Sequence, residues 1–400
     1  MSVGAFGGDA PSLRDLGRGQ LFVVCDDSRA GGSRSFLFRD PDEVVVCTDP
    51  SQVAGAFERV ETGVRAGLHA AGWFSYELGY HLEPRLAPLA PADPGQPPLM
   101  MMGLFRTRTG MSTRNCDSFW EEAGGAPTIT EVRPTMDRGA YVAAVEAVRE
   151  LILDGATYQV NLTMKYLFRV DGAPAALYAA LRQRQRTRWS AFVGWEGGSV
   201  LSLSPELFFA RSGPRIEVRP MKGTLPRSGD EKEIERSSAW LKSDPKSRAE
   251  NIMIVDLLRN DLARISVPGT VRVPSLLDVE RYETVLQMTS TIEAELAGDP
   301  TVHQLIQALF PCGSVTGAPK VSTMEIIRAL ESQPRGVYTG AIGYVSGGEA
   351  SFNVAIRTLS LDHEGGGELG VGSGILADSD AEAEYEECLL KGRFLTALTQ

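Results

Sequence analysis

The first part of the chain alternates between apolar and polar positions in the way that strands do. Short β-branched and aromatic runs lie within residues 19–48, separated by Gly, Ser, Asp and Pro, and they predict antiparallel strands. Residues 51–69 change to a helical period, residues 71–80 return to a strand pattern, and the proline-rich residues 83–98 are typical of a loop. With a further strand expected from Met100, this part is predicted to be a sheet with at least one covering helix.

A stretch of weak pattern, residues 107–135, follows and predicts a junction between two modules. It contains a Gly-Gly pair and two prolines and is the least patterned part of the chain. We therefore divide the chain into residues 1–130 and residues 131–400. Beyond the junction, Asp137 is expected to cap a helix that ends at Gly155.

The strand predicted over residues 157–168 has one apolar face and one unusually polar face. Alternation gives an apolar face of Val160, Leu162, Met164 and Tyr166 and a polar face of Gln159, Asn161, Thr163 and Lys165. A polar face in contact with water is normal in an antiparallel sheet. The other interpretation is the lining of a functional site, and the pattern alone favours neither.

Residues 201–224 predict a hairpin that returns a carboxylate and an amine to the same end of a sheet. Glu206 follows a proline, which cannot donate to a central ladder, so this acid is expected at a strand irregularity. Lys222 precedes Gly223, where the backbone can approach another group closely. Taken alone, the two residues are better explained as an exposed Glu–Lys pair worth under about 1 kcal/mol.

Two predicted helices carry charged side chains among apolar positions. Residues 228–248 are expected to be a loop that leads into a helix capped around Asp244, and in that helix Glu250 shares a stripe with Ile254. The final helix, capped by one of residues 378–380, places several residues on one stripe, namely Glu384, Glu387, Leu390, Lys391 and Phe394. An exposed Glu–Lys pair is the alternative, but it leaves the apolar members of the stripe unexplained.

The remaining segments are predicted to be strands around a glycine-rich loop. Residues 275–298 are expected to form a strand, and the loop within residues 311–320 offers free backbone N–H groups ahead of a helix, although it does not fit a nucleotide-binding motif. The run ASFNVAIRTLSL is predicted to be one strand. On it, Arg357 would share a face with Asn353 and Ala355, where small neighbours leave room for a ligand.

Composition excludes several classes of function. The 400 residues carry a net charge of −11, which argues against nucleic acid, because neutralising phosphates needs a surplus of Lys and Arg. The five widely spaced cysteines form no CxxC pair, which favours a reducing compartment. No apolar run approaches the roughly 20 residues of a membrane span, and the N-terminus lacks a signal-peptide pattern. We therefore expect a cytoplasmic protein without a membrane or nucleic-acid partner.

Eight motifs, in a fixed order from residue 137 onward, carry a resemblance to a known family. They are YQVNLT, SPELFF, PMKGTLPR, AENIMIVDLLRND, GSVTGAPK, GVYTGAIGY, NVAIRTL and GSGILADSDAEAEYEECLLK. Together they resemble the chorismate-utilising enzymes. The resemblance implies an α+β fold with two β-sheets packed face to face and helices outside, in which residues 131–400 are the chorismate-binding catalytic domain. Residues 1–130 would be an N-terminal module like that of anthranilate synthase component I.

The resemblance also implies a set of ligands for chorismate and for Mg²⁺. Glu250 and Glu387 match the carboxylates that hold the ion, with Glu384 as their neighbour, and the hard oxygen atoms suit Mg²⁺. Arg357 and Lys391 match the cations that fix the carboxylates of chorismate. Further substrate contacts are implied at Gln159, Gly223, Thr224, Gln287, Ser314, Tyr338, Gly372 and Gly374.

The implied chemistry uses an acid and a nucleophile. Glu206 matches the general acid that protonates the departing hydroxyl, which requires a raised pKa. Lys222 stands where anthranilate synthases have alanine, and it matches the lysine that adds to the ring at C2 in the aminodeoxychorismate branch; a depressed pKa is expected for it. Gln159 replaces the water-activating lysine of isochorismate and salicylate synthases, and Gln287 replaces a histidine of the pyruvate-releasing members.

The resemblance favours amination of chorismate at C4, for para-aminobenzoate and folate synthesis. Two rival functions remain. One is an anthranilate synthase subunit, and the other is a non-catalytic regulator that binds chorismate or tryptophan. The combination of Glu206, Lys222, Glu250 and Glu387 argues against a silent protein. No glutamine-hydrolysing motif is present, so ammonia is expected from a separate glutamine amidotransferase subunit.

Overall fold

The computed structural model describes residues 11–16, 19–29, 31–32, 35–91, 97–282 and 285–396. The first ten residues, which lack a signal-peptide pattern, and the centre of the proline-rich loop lie outside the described residues. No helix in the described part of the chain has the length and apolar character needed to cross a membrane.

Strands supply most of the regular structure. Numbered along the chain, they are β1 (Phe22–Asp26), β2 (Ser35–Phe38), β3 (Glu43–Cys47), β4 (His69–Phe74), β5 (Met100–Phe105), β6 (Thr109–Met111), β7 (Thr128–Pro134), β8 (Gln159–Asp171), β9 (Trp189–Trp195), β10 (Gly198–Ser204), β11 (Leu207–Ser212), β12 (Arg215–Arg219), β13 (Met221–Pro226), β14 (Arg272–Arg281), β15 (Val285–Glu295), β16 (Gly317–Ala318), β17 (Ala341–Ser346), β18 (Glu349–Val354), β19 (Thr358–Asp362) and β20 (Gly366–Ile375).

The helices begin where the sequence has caps. They are α1 (Val53–Arg65), α2 (Leu78–Leu82), α3 (Thr113–Glu121), α4 (Arg138–Leu153), α5 (Pro174–Arg184), α6 (Glu231–Ser243), α7 (Pro245–Ala263), α8 (Val302–Leu309), α9 (Lys320–Leu330) and α10 (Ala381–Thr396). The side chains of Asp137 and Asp244 accept N–H groups of the first turns of α4 and α7, as predicted. Asp380 does the same for α10.

The strands form two antiparallel sheets. The first sheet runs β16-β8-β20-β19-β10-β9-β1-β2-β6, with β7 also paired to β8, and the second runs β13-β15-β12-β11-β18-β17-β4-β5-β3, with β14 also paired to β15. Strands from residues 1–130 and from the rest of the chain join both sheets. The division at residue 130 stays a prediction.

Apolar side chains hold the two sheets face to face and attach the helices to their outer surfaces. Val23 and Val193 of the first sheet share one cluster with Trp73 and Ile342 of the second. A second cluster lies under α1, α7 and α8, and a third lies under α4, α9 and α10. Because each sheet buries both faces, the predicted architecture of two packed sheets with helices outside is confirmed.

Three predicted elements are wrong in ways that have physical reasons. The strand expected over residues 71–80 ends at Phe74, because the buried Glu77 turns inward to accept backbone N–H groups. Residues 228–248 are not a loop: Asp230 and Glu233 form a capping box that begins α6. Residues 275–298 form parts of a hairpin, β14 and β15, instead of one strand.

The chain passes from one sheet to the other at two adjacent points. Between β10 and β11 it crosses at Glu206, and between β18 and β19 it crosses at Arg357. The crossings are tied together, since the Val354 N–H donates to Glu206 O over 3.1 Å and the Ser204 hydroxyl donates to Val354 O over 2.6 Å. The single strand predicted for ASFNVAIRTLSL is therefore wrong, and Arg357 lies outside the strands with a φ of 50°.

Candidate active site

Glu206 lies at the first crossing with its carboxyl group buried. Its backbone N–H donates to the Ser204 hydroxyl over 3.1 Å, and the side chain is 3% exposed. One carboxyl oxygen, Oε1, has no hydrogen-bond partner in the structure. The predicted strand irregularity is confirmed, and the alternative of an exposed Glu–Lys pair is wrong.

Burial gives this carboxyl group the protonation behaviour of an acid that works near neutral pH. Burial raises the pKa of Glu206 to about 7, while hydrogen bonds from Ser314 and from the Met221 N–H and the charge of Lys222 oppose the rise. Ser314 belongs to the glycine-rich loop and is itself buried. The loop thus faces Glu206.

Lys222 lies on a β-bulge at the edge of the second sheet. Strand β13 pairs with β15 at Met221 and again at Thr224, and the register shifts between those pairs, so that Lys222 and Gly223 bulge out. Gly223 has a φ of 81°, which a glycine adopts without strain. The charge of Lys222 acts on the pKa of Glu206, Glu250 and Glu387, so its ammonium group lies among these carboxylates.

Gln287 fastens the bulge through both ends of its side-chain amide. Its Oε1 accepts the Thr224 hydroxyl over 2.8 Å, and its Nε2 donates to Gly223 O over 3.0 Å. The residue was predicted to contact substrate, but in this structure both ends of its amide form hydrogen bonds with the two residues that follow Lys222.

The polar face of β8 is buried, which excludes the interpretation of a water-facing surface. Gln159, Asn161 and Thr163 are each less than 9% exposed. Both amide atoms of Gln159 are buried without a hydrogen-bond partner in the structure. A Cβ built at Gly374 would lie 2.7 Å from Gln159 Nε2 and 3.3 Å from Lys222 Nζ. Glycine in β20 therefore lets these two side chains meet over the strand.

Carboxylates on two helices face the amine. Burial raises the pKa of Glu250 on α7, and the negative charges of Glu387 and Glu384 on α10 raise it further. The positive charges of Lys222 and Lys246 lower it but do not cancel the rise. The buried Glu384 accepts the Ser379 hydroxyl over 2.7 Å and lies 3.4 Å from Lys246 Nζ.

Lys391 links this carboxylate group to the glycine strand. Its Nζ lies 2.6 Å from Glu387 Oε1 and donates to Gly372 O over 2.7 Å. Burial raises the pKa of Glu387, but Lys391, Lys222 and Lys246 together outweigh it and the net pKa is lowered. The apolar stripe predicted on α10 is interrupted, because Leu390 is 54% exposed.

The chemistry of these donors fits a magnesium ion. Mutual repulsion of Glu250 and Glu387 would be relieved by a divalent cation, and Mg²⁺ prefers oxygen ligands while keeping several waters. Within the described residues, no group of three or more His, Cys, Asp or Glu side chains is close enough to hold a metal.

Arg357 and Tyr338 make their contacts with other parts of the molecule. The guanidinium of Arg357 makes one hydrogen bond within the described residues, to Gln185 over 3.4 Å, and burial lowers its pKa. An Arg side chain so poorly paired is suited to an anionic ligand. Tyr338 packs its ring against Gly370, where a Cβ would lie 2.0 Å from the ring.

The structure thus brings ten of the predicted residues into two connected groups, which do not include Gly223, Thr224, Gln287, Tyr338 or Arg357. The first contains Gln159, Glu206, Lys222, Ser314 and Gly374, and the second contains Glu250, Gly372, Glu384, Glu387 and Lys391. Lys246 was missed by the sequence analysis, although its position four residues before Glu250 is a usable signal. Cys312, beside Ser314, is buried with its pKa raised to about 12, so it is an inert packing residue.

Comparison with known proteins identifies the class to which this site belongs. A family model for chorismate binding enzymes matches residues 27–397. The chain therefore belongs to the chorismate binding enzymes, and its predicted membership is confirmed.

Relatives within the family are more specific. Aminodeoxychorismate synthase component 1 from Klebsiella aerogenes is 39% identical over 337 residues, which cover 80% of this chain and 74% of that protein. The 2-amino-4-deoxychorismate synthase of Streptomyces globisporus is 35% identical over 359 residues, covering 82% of this chain and 72% of that protein. Anthranilate synthase component I from Streptococcus pneumoniae has a similar fold, with a TM-score of 0.78, 24% identity and 93% coverage of both chains.

Proposed function

We propose that this chain converts chorismate and ammonia to 4-amino-4-deoxychorismate, as the synthase component of an aminodeoxychorismate synthase in para-aminobenzoate and folate synthesis. The similarity to component 1 of the Klebsiella enzyme supports the substrate and the reaction. The observation that carries the proposal is the buried Glu206, with a pKa of about 7, beside the amine of Lys222. A binding module has no use for such an acid and an amine together.

Glu206 and Lys222 divide the first half of the reaction. The Lys222 amine adds to ring C2, the double bonds shift, and the C4 hydroxyl leaves as water with the proton of Glu206. In the second half, ammonia adds at C4, the double bonds shift back, and Lys222 leaves C2 as an amine. The Glu206 carboxylate takes the proton that ammonia loses, so the acid is restored.

The other residues hold the substrate in place. Arg357 and Lys391 would pair with the carboxylates of chorismate, and the bare backbone of Gly372 and Gly374 would let the ring approach. Gln159 offers buried amide atoms beside Lys222 and cannot act as a base toward water.

Glu250 and Glu387 would hold Mg²⁺, with Glu384 behind them and waters completing the coordination. When bound, the ion would offset the charge of the ring carboxylate and draw electron density from the ring as the hydroxyl leaves. We class the enzyme as a transferase.

Ammonia would come from a glutamine amidotransferase subunit, since the relatives are named component 1. The five cysteines are free, which fits the reducing cytoplasm as the site of action.

The test is the reaction of purified protein with chorismate, Mg²⁺ and an ammonium salt, followed by mass spectrometry and NMR of the product. We expect an amine that keeps the pyruvyl group and carries nitrogen at C4. Nitrogen at C2, or anthranilate with free pyruvate, would assign the chain to another branch of the family. NMR is needed because the C2 and C4 amines have the same mass.

Lys222→Ala tests the covalent step. The variant is expected to lose amination, and acid-quenched wild-type enzyme should carry a chorismate-derived adduct on Lys222 in peptide mass spectra. Full amination by Lys222→Ala would contradict the nucleophilic role.

A further inference from the structure

Strand β8 has a gap in its outer edge, next to the candidate site. At one end β16 pairs with Gln159 and Val160, and at the other end β7 pairs with β8 from Tyr166 onward. The opposite edge is paired with β20 from Val160 to Arg169. Backbone groups of Asn161 and Thr163 therefore face the gap without a neighbouring strand, and buried backbone groups of this kind need partners.

An ion pair on the loop after α9 fills the gap. Arg335 Nη2 donates to Asn161 O over 2.7 Å, and Glu331 Oε1 accepts the Thr163 N–H over 2.9 Å. The two side chains bind each other in a bidentate manner, at 2.9 Å from Arg335 Nε and 2.6 Å from Nη2. The pair thus offers β8 one acceptor and one donor, as a strand would.

The same guanidinium also holds the glycine-rich loop. Arg335 Nη1 donates to Val315 O over 2.7 Å, and Val315 follows Ser314, which bonds Glu206. Asn161 lies two residues from Gln159 and donates its own N–H to Thr316 O over 2.8 Å. One buried side chain therefore ties together the two segments that present Gln159 and Ser314.

The N-terminal part of the chain fixes this side chain from behind. Glu77 accepts the N–H groups of Arg335 and Gly336 over 2.7 and 3.0 Å. The Tyr76 ring lies under the guanidinium at 4.5 Å from its centroid. Since the side chains of Arg335 and Glu331 are 2% and 6% exposed, the arrangement excludes water.

We infer that Arg335 and Glu331 are positioning residues that replace a missing strand and set the distance between Gln159 and the Ser314–Glu206 pair. The kinetic test of this inference rests on the proposed function, because it measures the proposed reaction. The hydrogen-exchange test does not depend on which product the enzyme forms. Neither residue touches the reacting atoms.

The experiment compares Arg335→Met with Arg182→Met. Arg182 is a matched control, because its side chain is 4% exposed and pairs with the buried Asp26 far along the first sheet. Both variants lose a buried ion pair and should lose stability. Arg335→Lys is the second variant, because it keeps the charge beside Glu331 but cannot reach every acceptor of the guanidinium.

Hydrogen exchange of the folded proteins gives the structural readout. In Arg335→Met, peptides covering residues 159–163 and 313–318 should exchange about tenfold faster, the factor expected for one lost charge-assisted hydrogen bond. Arg182→Met should leave them unchanged. Equal exchange in the two variants would overturn the inference.

Kinetics below the melting temperatures give the functional readout. Arg335→Met should lower kcat by about 100-fold with a smaller change in KM, since a misplaced acid costs that much. The alkaline limb of its pH profile of kcat/KM should shift, because a loosened loop changes both the hydration of Glu206 and its hydrogen bond from Ser314. Arg335→Lys should lie between Arg335→Met and wild type, and Arg182→Met should follow the wild-type profile. If the wild-type enzyme makes another product, the proposed function is refuted, but the hydrogen-exchange comparison still tests the positioning role of Arg335.

Discussion

Burial of a single carboxyl group decides at which pH this site can deliver a proton. Glu206 must be protonated to act as the acid, and its pKa is raised to about 7. We therefore predict that kcat/KM falls as pH rises through about 7, and that Glu206→Gln loses this limb together with the activity. The measurement is kcat/KM for chorismate from pH 5.5 to 9. A flat profile in this range would contradict the assignment.

The same burial makes Glu206 a cost to stability above neutral pH. The folded protein holds the proton up to about pH 7, whereas the unfolded chain releases it near the ordinary value of 4.5. The free energy of unfolding therefore falls across this window, by on the order of 3 kcal/mol for this group. Glu206→Gln should melt at a higher temperature than wild type at pH 8 and show no such gain at pH 4.5. Equal differences at both pH values would show that ionisation is not the cause.

Gln287 is a residue where the sequence and the structure give different roles. The sequence predicts a substrate contact, while the amide bonds Thr224 and Gly223. A histidine ring can keep only part of this pairing. Gln287→His is expected to slow amination and to release pyruvate, detected with lactate dehydrogenase. Slower amination without pyruvate release would show that Gln287 only holds the bulge. Thr224→Val is the matched control, because it removes one of the two hydrogen bonds that Gln287 makes to the bulge.

Gly374 tests whether Lys222 and Gln159 must meet above β20. A Cβ there would lie 2.7 Å from Gln159 Nε2, at the end of a flexible side chain, so Gly374→Ala should fold. The displaced side chains should reduce kcat by about 100-fold. Gly55→Ala is the control, because nothing lies within 4 Å of its Cβ on α1. Steady-state kinetics measure the loss of kcat, and melting temperatures show whether the variant has also lost stability. A wild-type kcat in Gly374→Ala would argue that Lys222 and Gln159 need not meet there.

At the scale of elements, the carboxylates depend on two helices held side by side. Glu250 comes from α7 and Glu387 from α10, so a shared ion should bind the helices together. Mg²⁺ at 100 times its dissociation constant should stabilise the wild type by about 2.7 kcal/mol. Glu250→Gln and Glu387→Gln should lose the thermal shift, and the exposed Glu386→Gln should keep it. An unchanged shift in the first two variants would move the ion elsewhere.

Elements with local signals were predictable, and those without were not. Helices α4 and α7 follow Asp caps, and β8 follows its alternation. Helix α6 was missed because its charged surface hid a capping box, which is a local signal that could have been used. The sequence between β14 and β15 contains no Gly, Pro, Asn or Asp, so no short-range signal separates the two strands.

At the scale of the molecule, sequence motifs identified the family and predicted most of the residues that the structure gathers in the candidate site. They could not show where the chain changes sheets, because Glu206 and Arg357 are brought together by pairing of strands far apart in sequence. They also missed Arg335, since a buried arginine that completes a strand edge has no local pattern. Burial of Glu206 was anticipated only through the resemblance.

The paired crossings have a consequence for how this protein could change its reaction. Glu206 and Arg357 are held by backbone bonds between neighbouring crossings, such as Leu203 N–H to Arg357 O over 3.0 Å, so their places survive substitution of nearby side chains. Lys222 lies on an edge bulge that is held by the side chain of Gln287, and a substitution can change that side chain. The fold thus fixes the acid, Glu206, and the proposed substrate-binding Arg357 by backbone bonds, while the proposed nucleophile, Lys222, can be exchanged. A new product would be reached by replacing residues 159, 222 and 287 while the crossings stay as they are.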